Sequence, residues 1–336
     1  MNETVLELEK LTIALPPGAD RANAVSDVDL VLRAGKVTCL IGESGSGKSL
    51  VARSILGLLP RPHVRIGSGR ILFEGQDLAV APQDKMRAIR GAKIGMIFQE
   101  PMTALNPLHT IGRQLDEVLR IHTSLGKAAR RARVLELIDS VHLPEPGRII
   151  RSFPHQLSGG QRQRAMIAMA LLLSPRLLIA DEPTTALDVT TQAQILDLMG
   201  RLQATHGSSI VIITHDMGVI AEIAHRVVVM YAGRPAEIGP ELEVVRSARH
   251  PYTWGLLGAV PRADVKTRRL VTIPGNAVSP LEVPVGCAFA PRCQYRMDVC
   301  VERPPLRGAN GHLDACWLSD EQRLAIRSTA TTRGES

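Results

Sequence analysis

The run Gly42-Glu43-Ser44-Gly45-Ser46-Gly47-Lys48-Ser49 follows the apolar stretch Val37 to Ile41 and leads into Leu50-Val51-Ala52-Arg53-Ser54-Ile55-Leu56. A strand, a glycine-rich turn and a helix start in this order suit the holding of nucleotide phosphates. Glycines let the backbone curl until several N–H groups aim at one point, and the helix N-terminus adds positive potential there. Lys48 brings a full charge, and the Ser49 hydroxyl is a hard oxygen of the kind that ligates magnesium.

Two further stretches end in groups that could act on a bound phosphate. Leu177-Leu178-Ile179-Ala180-Asp181-Glu182 reads as a buried strand whose end presents adjacent carboxylates. Side chains alternate along an extended segment, so these two cannot do the same job. Asp181 is suited to hold magnesium, directly or through its water shell, and Glu182 to polarise a water that attacks the γ-phosphate. Ile210-Val211-Ile212-Ile213-Thr214-His215 is a β-branched run ending in an imidazole that could bond the γ-phosphate and orient the water. Gln99 closes Ile94-Gly95-Met96-Ile97-Phe98 and could reach the metal or the water in the same way.

Leu157-Ser158-Gly159-Gly160-Gln161 carries a different signal. Ser158 is a good N-cap, and Gln161 three residues on completes a capping-box spacing before the helical pattern Ala165 to Leu173. Exposed N–H groups beside two glycines would again receive an anion. Since the chain already has one complete phosphate cradle, a second anion-binding helix start points to a site shared between two copies of the fold.

LSGGQ between GESGSGKS and LLIADE, with Gln99 and His215 in order, resembles the nucleotide-binding domain of an ABC-type ATPase. The resemblance implies an α/β P-loop NTPase cassette with a RecA-like core and a helical insert, binding ATP and Mg2+. It also implies a head-to-tail pair in which Ser158, Gly159, Gly160 and Gln161 of one cassette cover ATP held by Gly42 to Ser49 of the other. Ala186-Leu187-Asp188 would lie at the facing surface. The family stacks adenine on an aromatic residue in the first strand region, where this chain has Leu15, so base selectivity is expected to be weaker.

The elements that must position these groups follow from the same pass. Residues 1 to about 98 alternate short strands with the phosphate-loop helix, and 176 to 240 resume that alternation. Between them, Leu115 to Arg120 and Ala132 to Ile138 show helical spacing. This gives a nucleotide-binding domain over 1–250 with a helical subdomain at about 99–175, and an extension over 251–336. Glu100 to Leu108 contains two prolines and reads as an irregular segment beside Gln99. In ABC transporters this neighbourhood receives the coupling helix of a membrane subunit.

At 336 residues and 45% hydrophobic content the chain can bury a sizeable core. The net charge of +7 is scattered, with Arg130-Arg131 and Arg268-Arg269 the adjacent pairs that stand out, and aromatics are only 3%. That argues against a surface stacking single-stranded bases, and no nucleic-acid partner is expected. No apolar run approaches the ~18 residues of a membrane span. The start MNETVLELEK lacks the basic and apolar regions of a secretory signal, so the chain is expected to remain in the cytoplasm with reduced thiols.

Past the cassette, Cys287, Cys293, Cys300 and Cys316 fall within a short region, while Cys39 precedes the phosphate loop as a small buried residue. The spacings are too long for zinc knuckles. A [4Fe-4S] cluster, a zinc ion and unligated thiols all remain open, with Arg292, Arg296 and Arg303 nearby to offset a cluster's negative charge. Phe98 to Pro107 (FQEPMTALNP), His250 to Leu257 (HPYTWGLL) and Gly286 to Cys293 (GCAFAPRC) resemble the oligopeptide/dipeptide group of ABC importers, in its first-ATPase-subunit type. That resemblance implies a second ATPase subunit, identical or different, two membrane permease subunits and an extracytoplasmic solute-binding protein. It also implies peripheral placement on the cytoplasmic face of the inner membrane. A soluble ABC ATPase acting on nucleic acid or ribosomes is the competing class, and nickel or glycosides are competing solutes. The tail Ser319 to Ser336 is polar and is expected to be mobile.

Overall fold

The β-branched runs sort their side chains to the two sides of one sheet. In the computed structural model, which describes residues 3–19, 22–100, 104–184, 187–259, 273–275 and 284–333, strands β3 (Val37–Ile41), β6 (Ile94–Ile97), β7 (Leu177–Asp181), β8 (Ser209–Ile213) and β9 (Arg226–Tyr231) are parallel in the order β9-β3-β8-β7-β6. Leu178, Ala180, Ile210 and Ile212 enter one core, and Leu177, Ile179, Val211 and Ile213 enter the other. Every residue of β3, β7 and β8 is buried, as parallel strands covered on both faces require.

One face is covered by an antiparallel sheet of β1 (Thr4–Ala14), β2 (Asn23–Arg33), β4 (Arg65–Phe73) and β5 (Gln76–Asp77), together with the helix Lys48–Ile55. The other is covered by the insert, whose helices Ile111–His122, Lys127–Ser140, Pro146–Ile149 and Gly159–Leu171 contribute Leu115, Leu119, Leu137, Ile138 and Ile167. The helical spacing read at 115–120 and 132–138 thus marks the middles of two longer helices. β1 and β2 are 11 residues each rather than short. Their alternation is broken where Lys10 and Asp27 take positive φ and the register shifts, which hides a long strand from a period-2 pattern.

The main sheet continues past β9 through the end of the cassette into the C-terminal extension. β10 (Arg234–Pro240) runs antiparallel to β9, and the hairpin β11 (Arg307–Ala309) and β12 (His312–Asp314) continues the edge, with Glu237 opposite Asp314. Fully buried Glu237 accepts from His312 Nε2 at 2.7 Å and from the N–H groups of Arg249 and His250 at 2.8 and 3.0 Å. Burial alone would raise that carboxyl, but these bonds hold it below the usual range. The tail is not a mobile appendage through its described length. Asp320–Arg333 is a helix, capped reciprocally by Ser319 and Gln322, and Arg323 pairs with buried Asp314. No helix among the described residues is long and apolar enough to cross a membrane.

Aromatic side chains are concentrated where cassette and extension meet. Tyr231 of β9, Tyr252 of the helix Pro251–Gly258 and Phe289 of the extension have ring centroids 4.6 to 5.4 Å apart. Buried His250 caps that helix, its Nδ1 accepting from the Tyr252 N–H at 3.0 Å. The cap requires a neutral ring. Burial takes the His250 pKa down to about 4, with Glu237 opposing and Arg323 assisting. An unfolded chain with an ordinary imidazole binds more protons between about pH 6.5 and pH 4, so stability is complete above that window and falls as pH drops through it. Urea unfolding should show about 2 kcal/mol lost between pH 7 and pH 5 from this residue. His250→Asn, which keeps a capping acceptor, should flatten that slope; an unchanged slope would remove His250 as its source.

Candidate nucleotide site

The phosphate loop leaves β3 at Gly42 and enters the helix Lys48–Ile55 with Gly42, Gly45 and Gly47 at φ values of 144°, 78° and 98°. A Cβ on Gly42 would collide with the Met230 carbonyl, and one on Gly47 would lie 2.9 Å from Val25 Cγ2. These positions need glycine both for conformation and for space. Lys48 is 7% exposed and its ammonium donates to the carbonyls of Gly42 and Glu43 at 2.7 and 2.9 Å and to Ser46 Oγ at 3.2 Å. Burial lowers its pKa, while Glu182, Asp181 and Glu43 pull the other way.

Parallel pairing brings the polar strand ends to the same edge. Ser49 Oγ donates to Asp181 Oδ1 at 2.9 Å, which unites the two oxygens expected at magnesium. Burial raises the Asp181 carboxyl, against the Ser49 hydrogen bond and the charges of Arg53 and Lys48. A hard divalent cation would meet two hard oxygens here, so the donor set fits magnesium. Glu182 stands just past β7 at φ 49°, its N–H bonded to the Ile213 carbonyl at 2.9 Å. Its carboxylate takes the Gln99 amide nitrogen on one oxygen at 2.9 Å and faces His215 Nδ1 from the other at 3.6 Å. Gln99 therefore meets Glu182 and not the Ser49–Asp181 pair.

The helix Gly159–Leu171 begins with the anticipated capping box, Ser158 Oγ accepting from the Gln161 N–H at 3.3 Å and Gln161 Oε1 from the Ser158 N–H at 3.0 Å. Gly159 has open space where a Cβ would sit. These capping groups bond one another and stand on the insert, apart in the chain from the phosphate loop. The same helix carries a residue the sequence reading passed over. Buried Gln163 donates its amide to the Pro183 carbonyl, tying this helix to the segment that follows Glu182. Asp188 caps the helix Val189–His206, accepting from Thr191 N–H at 2.9 Å and Thr191 Oγ1 at 2.7 Å. Ala186, expected beside it, lies outside the described residues, as do Pro101, Met102 and Thr103 of the segment after Gln99. The described part of that segment is pinned by buried Gln114, which donates to the carbonyls of Asn106 and His109 and accepts from the Asn106 N–H, leaving Leu108 81% exposed. Leu15 is half-buried, its N–H closing the β1–β2 turn on the Ala22 carbonyl at 2.9 Å.

Burial takes the Cys39 thiol up to about 12, which suits an inert core residue. Cys287, Cys293, Cys300 and Cys316 are free thiols that line one small cavity with His250, Phe289, Tyr295, Met297 and Trp317. Burial raises Cys287 and Cys316, and takes Cys293 to about 11. Among the described residues no group of three or more His, Cys, Asp or Glu side chains is arranged to hold a metal ion.

A glycine-rich loop between β3 and its helix, with carboxylates at the end of a parallel strand beside it, defines a P-loop nucleotide-binding cassette. The family model described as ABC transporter matches residues 25–185, and that described as oligopeptide/dipeptide transporter, C-terminal region, matches 236–300. The dipeptide transport ATP-binding protein DppD of Bacillus subtilis is 47% identical over 322 residues, covering 95% of this chain and 96% of its own. The oligopeptide transport ATP-binding protein OppD of Salmonella typhimurium is 46% identical over 316 residues, covering 94% and 93%. Among solved structures, the ATP-binding cassette MJ0796, in a dimeric post-hydrolysis state bound to ADP and Pi, superposes with a TM-score of 0.63. It is 30% identical and covers 70% of this chain and 98% of its own. The chain belongs to the ABC transporters, as an ATP-binding and ATP-hydrolysing subunit of their oligopeptide/dipeptide group.

Proposed function

We propose that this subunit drives import of dipeptides or oligopeptides through separate membrane subunits, by closing on ATP with an opposing cassette and reopening on hydrolysis. The observation that carries the reading is the meeting of Lys48, the Ser49–Asp181 pair and the Gln99–Glu182–His215 chain at one sheet edge. The backbone from Gly42 to Ser49 would receive the phosphates, with Lys48 released from the loop carbonyls onto them. Ser49 and Asp181 would hold magnesium, which when bound neutralises phosphate charge, and Gln99 would join them on leaving its Glu182 contact. Glu182 would accept a hydrogen bond from the attacking water as its oxygen bonds to the γ-phosphorus and the bond to the ADP oxygen breaks. His215 would orient that water. Ser158, Gly159, Gly160 and Gln161 would close over the nucleotide of the opposing subunit.

We take residues 1–250 as the nucleotide-binding unit, its helical part at about 99–175, and 251–336 as the extension. The segment around Gln99 and Leu108 would face the membrane subunits from the cytoplasmic side, and an extracytoplasmic binding protein would deliver the solute. The relatives' names, dipeptide and oligopeptide transport ATP-binding proteins, support peptides over nickel or glycosides. In vesicles carrying the complete transporter, ATP hydrolysis should rise when peptide-loaded binding protein is added inside. No response to any peptide, with a response to another solute, would overturn the peptide assignment.

A [4Fe-4S] cluster on the four cysteines would require their side chains to move apart, because as they stand no group among the described residues is arranged to hold a metal and the cavity they line is about 10 Å³. Loading would release the thiol protons that burial retains. Anaerobically purified protein should be brown, with iron and sulfide present in equal amounts; colourless, iron-free protein of full stability would exclude the cluster.

A further inference from the structure

Glu43 puts a negative charge inside the phosphate loop, the wrong sign for a site that receives a polyanion. The fold holds this residue at three points. Its carboxylate makes a two-pronged pair with Arg292, Nη1 to Oε2 at 2.7 Å and Nη2 to Oε1 at 3.0 Å. Its N–H donates to the Tyr252 hydroxyl at 2.8 Å, and its carbonyl accepts from Lys48. Arg292 is itself fixed, its side chain 5% exposed, with Nε on the Pro274 carbonyl at 3.0 Å and Nη1 3.4 Å from the Tyr231 hydroxyl. Arg292 and Tyr252 both lie beyond residue 250, and Arg292 ends the turn Ala290–Arg292 that sits between Cys287 and Cys293.

We propose that Arg292 is a positioning residue for ATP binding: it cancels the Glu43 charge and, with Tyr252, fixes the loop backbone from which the triphosphate is held. The extension is thereby a working part of the nucleotide site. The inference rests on the reading of Gly42 to Ser49 as the phosphate site. A guanidinium matched to a carboxylate in two parallel bonds gives direction as well as charge, which a lysine could not reproduce. Without it, an uncompensated carboxylate would stand beside the incoming phosphates.

The test is equilibrium ATP binding and steady-state hydrolysis by the full chain in its transporter complex. Arg292→Ala should weaken ATP binding about tenfold, with hydrolysis at saturating ATP within about twofold of the parent. Adding Glu43→Gln to it should recover most of that affinity, because the offending charge is gone, whereas a tether that merely holds the extension would not be rescued. Tyr252→Phe keeps the ring packing and should weaken binding about threefold, which provides a readout if Arg292→Ala does not fold. Unchanged affinity in Arg292→Ala, a double variant as weak as the single one, or, where Arg292→Ala is unfolded, unchanged affinity in Tyr252→Phe overturns the proposal. Failure of the parent to bind ATP would instead overturn the nucleotide reading.

Discussion

Glu182→Gln is expected to bind ATP as the parent does and to hydrolyse it slower by about two to four orders of magnitude, the range of a lost general base. The substitution keeps the shape and the Gln99 contact at 2.9 Å in outline, but removes the group that draws on the water's proton. Since closure precedes hydrolysis in this scheme, the variant should accumulate an ATP-closed pair of cassettes visible as a larger species in solution with MgATP and absent with MgADP. Turnover at the parent's rate would take Glu182 out of the reaction, and a slowed variant with equally weakened ATP binding would make it a structural residue of the strand end.

Lys48→Ala should lose ATP affinity by about a hundredfold, the scale of a buried charge-assisted contact to phosphate together with the loop order it maintains. Its ammonium already bridges Gly42, Glu43 and Ser46, so removing it frees the loop as well as deleting a charge. Equilibrium binding of a fluorescent ATP analogue, alongside thermal unfolding without nucleotide, separates the two contributions. Affinity within threefold of the parent would place the phosphates elsewhere.

The groups proposed to act on phosphate were legible because chemistry ties them to short local patterns. Gly42 to Ser49 needs closely spaced glycines before a helix, and Asp181-Glu182 and His215 close apolar runs that become the buried strands β7 and β8. Ser158 and Gln161 stated their cap by spacing alone. What lay hidden depends on distance along the chain or on interrupted patterns. Arg292 meets Glu43 across 249 positions, and no local feature of either residue names the other. Lys10 and Asp27 break the alternation of β1 and β2 without ending the strands. Asp320–Arg333 looked like a polar tail because its attachment is ionic, through Arg323 to Asp314, not apolar. A signal was present there in Ser319 and Gln322, which have the same capping-box spacing as Ser158 and Gln161.

Whether two cassettes jointly enclose the nucleotide is best tested by trapping the complete transporter with ATP and vanadate and irradiating it. Vanadate then occupies the γ-phosphate position and breaks the backbone beside it. The account predicts two cuts in this chain, one within Gly42 to Ser49 from its own nucleotide and one within Ser158 to Gln161 from the nucleotide of the opposing subunit. Cleavage at the phosphate loop alone would contradict it.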